Sequence, residues 1–282
     1  MISWPKSLIH ELAQRRCILF LGAGVAASAQ NSSGQRPLDW NAFLVKATEL
    51  ISDIGDRDKV KQLIDERRFP LALNAIADLA DIGDYQSLLN ECFNNSSFIP
   101  SELHSVILDI DSRFVITTNF DKIYEKHCLT VSDEGFKVLP YYSTSLADEI
   151  RSDTRLIIKA HGSIDDISKM VFTRQEYHHA KKDHPEFYNL LRALLLTNTC
   201  VFIGCGMEDP DVLLVLEELK MTTNTKRPHY ALLREGSISR FITQDLLYTY
   251  NVKSLFYGPD HSDLISSLKY LYDEIEGIRA TS

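Results

Sequence analysis

The predicted fold depends on one stretch, Cys17-Ile18-Leu19-Phe20-Leu21-Gly22-Ala23-Gly24, near the start of a 282-residue sequence. Five apolar residues followed at once by two spaced glycines are typical of a buried strand that turns sharply into a helix. Glycines at such a turn let backbone N–H groups approach a diphosphate closely. The same pattern also occurs in tight strand–helix turns that bind nothing, so this motif alone leaves both interpretations open.

Five further apolar runs predict the other strands of one sheet. Near-continuous runs of this kind favour parallel strands covered on both faces by helices. Stretches with helical periodicity separate them, beginning with a helix after Pro5 and ending with one from about Ser262. We therefore predict an α/β fold with a Rossmann-like, doubly wound parallel sheet. The five runs are Phe114–Thr118, Leu156–Lys159, Cys200–Ile203, Tyr230–Leu233 and Leu255–Tyr257.

The segment between the first two predicted strands is much longer than a βαβ crossover requires. Apolar residues recur with helical spacing through residues 41–110, which predicts a helical subdomain inserted at about those positions. No internal repeat or low-complexity segment divides the rest of the chain. We expect residues 1–282 to form a single domain that carries this insertion.

Composition excludes several classes of protein. The net charge of −9 and the pI of about 5.5 argue against a nucleic-acid face that covers the whole protein, though not against a local basic patch, and we expect no direct nucleic-acid binding. No run approaches the roughly 18 apolar residues that span a bilayer, so no membrane association is expected. Arg15-Arg16 and the apolar residues after them are similar to a signal peptide, but Glu11 and the glycine turn argue against one. We therefore expect a cytoplasmic protein.

The cysteines suggest neither disulfides nor zinc. They are odd in number, widely spread and contain no CxxC pair, whereas disulfide frameworks and structural zinc sites use closely spaced sets. We therefore expect no metal site. The five are Cys17, Cys92, Cys128, Cys200 and Cys205.

Polar side chains follow two of the predicted strands. Thr118-Asn119-Phe120-Asp121 ends the second, and His161-Gly162 comes directly after the third. Ligands of open α/β sheets bind at this carboxyl edge, and an imidazole suits a general base because it titrates near neutrality. Two simpler explanations stay open: Asp121 can cap the next helix, and His161 can be a structural histidine.

The fourth strand ends in Gly204-Cys205-Gly206, followed by Asp209 and Pro210. Helix capping explains Asp209 and Pro210, but it does not explain the two glycines. Four turns of this composition at one sheet edge together suggest a nucleotide site with a catalytic polar pair.

These segments, in this order, resemble the sirtuins, and specifically the bacterial sirtuin-like domains that consume NAD in antiphage defence. The glycine turn is similar to the family's phosphate loop, and the residues from Thr118 to Asp121 resemble its TNFD motif. Lys159-Ala160-His161-Gly162-Ser163-Ile164-Asp165 resembles KxHGSID, and the stretch from Phe202 to Asp211 resembles FxGxSxxDxD. The resemblance spans residues 8 to about 272. Asp39 and Trp40 are similar to the end of the family's flexible cofactor loop.

The resemblance implies a role for each matched residue. Asn119 and His161 would be catalytic: the asparagine would contact the nicotinamide ribose and order the attacking water, and the histidine would act as base on a ribose hydroxyl. The glycine turn and Ser28 would hold the diphosphate, and Gly204, Cys205 and Asp209 would lie near the adenosine half. The full set of cofactor-binding candidates is Gly22, Ala23, Gly24, Ser28, Thr118, Asp121, Gly204, Cys205 and Asp209.

The implied activity is NAD glycohydrolysis to nicotinamide and ADP-ribose, which depletes NAD during antiphage defence by abortive infection. NAD is then the substrate, with no metal. The missing zinc module and the segment after Gly24, which lacks the deacylase ending GIPDFR, favour water as acceptor. Two alternatives stay open: a non-catalytic module that senses NAD or ADP-ribose, and an ADP-ribosyltransferase or deacylase.

The resemblance also implies regulation by assembly. We expect a homo-oligomer and a separate regulatory partner such as a HerA-like hexameric ATPase. Fused nucleotide sensors and Argonaute-like proteins accompany other relatives, and no residue in this sequence selects among the three. The favoured ATPase follows from the shortness of the chain and the lack of an added sensor.

Overall fold

A computed structural model describes residues 1–131, 135–207, 210–223 and 225–281. One parallel sheet of seven strands lies at the centre of this part of the chain, in the order β3-β4-β2-β1-β5-β6-β7. The fold is therefore the predicted Rossmann-like α/β fold. The strands are β1 (Cys17–Leu21), β2 (Phe114–Thr117), β3 (Phe136–Pro140), β4 (Arg155–Lys159), β5 (Thr199–Ile203), β6 (His229–Leu233) and β7 (Val252–Phe256).

Six of these strands match the predicted runs to within a few residues, and β3 was not predicted. β3 is an edge strand that pairs only with β4, and its burial alternates along Phe136–Pro140. A strand with one neighbour needs no continuous apolar run, which is why the sequence pattern missed it. β2 ends one residue before the predicted Thr118.

Helices cover both faces of the sheet, and each face has its own core. One face packs against the first and last helices through residues such as Leu8 and Leu268, and the other packs around Phe20 and Phe202. The helices are α1 (Lys6–Ala13), α2 (Ala23–Ala26), α3 (Trp40–Ala47), α4 (Ile54–Asp65), α5 (Phe69–Leu79), α6 (Ile82–Phe93), α7 (Glu102–Asp109), α8 (Ile123–Val131), α9 (Leu146–Arg151), α10 (Arg174–Asp183), α11 (Pro185–Thr197), α12 (Pro210–Thr222), α13 (Arg240–Tyr250) and α14 (His261–Arg279).

Helices α2 to α7 lie in the segment between β1 and β2. Four of them, α3 to α6, share an apolar core around Phe43 and Leu73. Phe120, Ile164 and Met170 belong to the same core, although they follow β2 and β4. The inserted helices are thus packed onto the loops at the carboxyl edge of the sheet.

The chain reverses its direction of winding at β1. From β1 it passes to β2 on one side, and later to β5 on the other side. In doubly wound sheets, ligands bind in the crevice beside this switch point, at the carboxyl ends of the strands. None of the described helices is long and apolar enough to cross a bilayer.

Candidate active site

Strand register brings the two predicted catalytic residues to the same edge. Thr117, the last residue of β2, is paired with Lys159, the last residue of β4. Asn119 comes two residues after Thr117, and His161 comes two residues after Lys159. Both therefore lie just beyond two aligned strand ends. This alignment was not visible in the sequence, because it depends on which strands are neighbours.

A cavity of about 730 Å³ opens at this edge, between the sheet and the inserted helices. It brings together most of the predicted site residues. Gly24 and Ser28, although described, are not among the residues that line it. The predicted residues that do line it are Gly22, Ala23, Thr118, Asn119, Asp121, His161, Gly204 and Cys205.

The glycine turn after β1 packs directly against the turn after β5. The Gly22 N–H donates to the Ile203 carbonyl at 3.0 Å, and the Gly24 N–H donates to the Gly204 carbonyl at 2.9 Å. A Cβ on Gly24 would lie 2.9 Å from the Gly204 backbone, and Gly204 has a φ of +66°. These two amides are thus bound within the protein, and close packing of the two turns accounts for the glycines.

The Ser28 hydroxyl is directed away from the cavity. It donates to the Val25 carbonyl at 2.6 Å and lies 2.6 Å from the hydroxyl of Ser101, at the start of α7. Its observed contacts therefore anchor α7 to the turn after α2.

Asn119 makes two hydrogen bonds at the end of β2, and a third bond holds the hydroxyl that one of them uses. Its side-chain Nδ2 donates to the Gly22 carbonyl at 3.0 Å, and its backbone N–H donates to the Thr117 hydroxyl at 3.0 Å. The same hydroxyl donates to the Leu21 carbonyl at 2.9 Å. Since Nδ2 faces a carbonyl, Oδ1 is the amide atom on the opposite side of the side chain.

Asp121 both caps a helix and lines the cavity. Its Oδ1 accepts from the N–H of Ile123, the first residue of α8, at 2.9 Å. Asp121 therefore caps α8, and its side chain still lies where a ligand can contact it.

His161 is half-buried and lines the same cavity, after the strand that pairs with β2. Its carbonyl accepts from the Val171 N–H at 2.9 Å, which brings Phe172 into the cavity wall. Gly162 has a φ of +83°, and a Cβ there would lie 2.5 Å from the Lys169 carbonyl oxygen. The histidine therefore leaves the strand through a turn that favours glycine.

Aromatic rings form a wall that sequence reasoning largely missed. Phe120 and Phe172 have ring centroids 4.2 Å apart, and Trp40 stacks on Phe172 at 5.8 Å. Phe43 and Phe93 extend the wall from the inserted helices. Phe120 lies within the motif from Thr118 to Asp121, and Trp40 was singled out with Asp39. Phe43, Phe93 and Phe172 carry no motif, because they come from distant segments.

Charged side chains of both signs line the cavity. Asp39 caps α3, with its Oδ1 accepting from the Ala42 N–H at 2.8 Å. Arg68 and Arg174, at the starts of α5 and α10, bring positive charge to the same space. Such charge suits a ligand with a diphosphate.

Cys205 lies beside the glycine turn, with its Sγ 3.6 Å from the Phe20 carbonyl oxygen. Asp209 lies outside the described residues. Among the residues that are described, no cluster of three histidine, cysteine or acidic side chains is arranged to hold a metal ion.

Comparison with known proteins gives a consistent result. Residues 113–255 match the family described as SIR2-like domain. A protein named NAD(+) hydrolase ThsA from Enterococcus faecium is 29% identical over 147 residues, covering 51% of this chain and 30% of that protein. The protein of the same name from Cytobacillus dafuensis is 25% identical over 238 residues, covering 84% and 44%.

A third relative, defense-associated sirtuin 2 from Bacillus subtilis, is 28% identical over 120 residues, which cover 40% of this chain and 11% of that protein. In each of these three alignments the matched region spans less than half the length of the relative.

Proposed function

This chain belongs to the SIR2-like domain family, and from that premise we propose that it is an NAD glycohydrolase. It cleaves the bond between nicotinamide and ribose, and its products are nicotinamide and ADP-ribose. The observation that carries the proposal is the placement of Asn119 and His161 in one cavity, each two residues beyond paired strand ends. Two relatives whose names include NAD(+) hydrolase support the same activity.

The chemistry follows from the groups that face the cavity. Breaking the nicotinamide–ribose bond gives an oxocarbenium-like sugar, as in glycoside cleavage. Nicotinamide leaves with the bonding electron pair, and the oxygen of water bonds to the same sugar carbon. The neutral amide of Asn119 orients that water, and His161 takes up the proton that the water loses, through the ribose hydroxyl that it contacts.

The other contacts distribute NAD along the cavity. The turn at Gly22-Ala23 holds the diphosphate region, together with the positive charge of Arg68 and Arg174, and Gly204 and Cys205 lie near the adenosine half. Thr118 and Asp121 lie on the ribose side. Gly24 packs against Gly204 and Ser28 bonds to Ser101, so both support the glycine turn from outside the cavity lining. We assign Asp209 to the adenosine half with Gly204 and Cys205.

We also propose the biological setting. NAD depletion serves antiphage defence in the cytoplasm, and residues 1–282 act as one domain with the helices at about 41–110 as its insertion. A homo-oligomer and a separate partner, such as a HerA-like hexameric ATPase, restrain the activity. Release of nicotinamide by the chain alone and with its genomic neighbour's product measures that restraint.

The activity is tested by nicotinamide release from NAD. We expect His161→Ala and Asn119→Ala to abolish release while both proteins stay folded, because each loses a group that acts on the ribose. His179→Ala and Asn90→Ala, at exposed positions outside the cavity, are the matched controls and should keep wild-type rates.

Three outcomes would contradict the proposal. Full turnover by His161→Ala would exclude the mechanism. Calorimetric binding of NAD with no nicotinamide in any assembly state would indicate a sensor. Transfer of labelled ADP-ribose to protein, or loss of an acyl group from a peptide, would indicate a transferase or a deacylase.

A further inference from the structure

A lysine is buried at the end of β4, two residues before His161. The side chain of Lys159 is 2% exposed. Burial of an ammonium group is costly unless its protons find partners. The partners of the Lys159 ammonium must therefore compensate the cost of burying it.

The Lys159 ammonium connects two segments of the site. Its Nζ donates to the backbone carbonyl of Asp121, two residues after Asn119. It also lies 3.6 Å from Oε2 of Glu125, on the first turn of α8, whose side chain is 8% exposed. Burial raises the pKa of Glu125, and the positive charge of Lys159 opposes that rise.

Further contacts join the same two segments farther from the strand ends. The Ile164 N–H donates to the Phe120 carbonyl at 3.1 Å, and Lys122 forms an ion pair with Asp165. Lys122 is partly exposed, so its pair is weakened by solvent. At the strand ends the Ala160 N–H donates to the Thr117 carbonyl at 2.8 Å, and Lys159 adds a buried side-chain contact to the turn that carries Asn119.

Stability alone does not explain the lysine. A buried ion pair is often no better than well-packed apolar residues of similar size, although removing one partner is strongly destabilising. What an apolar pair cannot supply is a directed hydrogen bond to the Asp121 carbonyl.

We propose that Lys159 is a positioning residue, which fixes the Asn119 turn against the end of β4 and so sets the amide of Asn119 relative to His161. The proposal rests on the proposed function for its catalytic consequence. Reacting groups tolerate little misplacement, and an error of about 1 Å can cost about a hundredfold in rate.

The test compares single and double variants of the full chain. Lys159→Met leaves the Glu125 carboxylate buried without its cation. This variant is therefore destabilised whether or not Lys159 positions the Asn119 turn. Lys159→Met combined with Glu125→Leu removes both charges and keeps the volume apolar. If the leucine variant does not fold, Glu125→Gln in its place keeps a neutral polar side chain. Lys137→Met, in the exposed ion pair of β3 with Glu149, is the matched control.

We expect the double variant to regain most of the stability in urea denaturation but not the activity. Its kcat for nicotinamide release should stay at least about tenfold below wild type, with little change in KM, because the diphosphate contacts are intact. Recovery of kcat together with stability would overturn the proposal, since the lysine would then only neutralise Glu125.

Amide hydrogen exchange separates this proposal from the proposed function. Exchange should accelerate at residues 118–122 in the double variant and stay unchanged at residues 18–21 of β1. If wild type releases no nicotinamide, the glycohydrolase proposal fails, and faster exchange at 118–122 still supports the positioning role. Unchanged exchange there would overturn it whatever the activity.

Discussion

The side-chain amide of Asn119 is oriented by one contact, the hydrogen bond from Nδ2 to the Gly22 carbonyl. This contact joins the turn after β2 to the glycine turn after β1. Because Nδ2 faces Gly22, Oδ1 is on the side away from Gly22. The orientation of the side-chain amide therefore matters as much as its presence.

Asn119→Asp should therefore be nearly as damaging as removal of the side chain. A carboxylate oxygen would replace Nδ2 about 3.0 Å from the Gly22 carbonyl oxygen. Leaving that pair without its hydrogen bond costs about 1–3 kcal/mol. We expect nicotinamide release to fall at least about tenfold, measured as kcat.

The control is Asn90→Asp. The Nδ2 of Asn90 also donates to a backbone carbonyl, that of Gln86, but on an exposed helix. It should keep full activity. Wild-type turnover by Asn119→Asp would show that the amide donor has no role in the reaction.

For individual residues, the sequence predicted which ones lie at the sheet edge better than it predicted the contacts that they make. The end of each apolar run located Asn119 and His161, because polar residues that follow a buried strand must lie at its edge. It did not reveal that the Ser28 hydroxyl meets Ser101 or that the Gly24 N–H is taken by Gly204. Both partners are far away along the chain, and local pattern carries no information about such contacts.

The element that carries His161 is a turn whose geometry depends on Gly162. Both Gly162 and Gly236 have positive φ, at +83° and +76°. They differ in their surroundings: a Cβ at Gly162 would lie 2.5 Å from the Lys169 carbonyl oxygen, and one at Gly236 would meet nothing within 4 Å.

This contrast predicts two different costs. Gly236→Ala should lose roughly 1–2 kcal/mol of unfolding free energy, from left-handed backbone strain alone. Gly162→Ala should lose clearly more and should also lower nicotinamide release, because the His161 turn must shift. Urea denaturation and the release assay measure both; equal losses in the two variants would contradict the steric argument.

Five strands could be predicted as elements because they are buried runs of β-branched and apolar residues, and β7 could be predicted from the apolar run at its end, although its burial alternates. β3 could not, since Lys137 is exposed and Pro140 ends the strand. The spacing through residues 41–110 indicated helices, but it could not show that Phe43 and Phe93 turn toward the sheet edge and form the wall of the cavity.

For the molecule as a whole, two buried histidines make stability depend on pH. Burial lowers the pKa of His104 and of His229, each to about 4, so both are neutral in the folded protein at pH 7. The unfolded chain binds protons at these residues from about pH 6.5 downward. The stability that comes from keeping these histidines neutral should therefore be fully present above pH 6.5 and be lost as the pH falls toward 4.

We expect each histidine to reduce the unfolding free energy by about 1.4 kcal/mol per pH unit in that window. The raised pKa of Glu125 acts in the opposite direction, because it favours the folded state at low pH. His229→Gln keeps an acceptor for the Cys200 N–H and should flatten the dependence, whereas exposed His10→Gln should not. Denaturation midpoints at pH 7, 6 and 5 that do not differ would contradict this expectation.

The central position of β1 has a consequence for how the polypeptide reaches its native state. Leu21 pairs with Thr117 on one side and with Ile203 on the other, so both neighbours of this strand are synthesised long after it. Contacts between residues so far apart in sequence give a high contact order. The entropy lost in closing the long loops comes before the contacts can stabilise the chain. A nascent chain therefore exposes Cys17–Leu21, an unbroken apolar segment, until much of the protein has left the ribosome. Slow folding and exposure to aggregation during synthesis follow from the central position of this early strand beside the cavity.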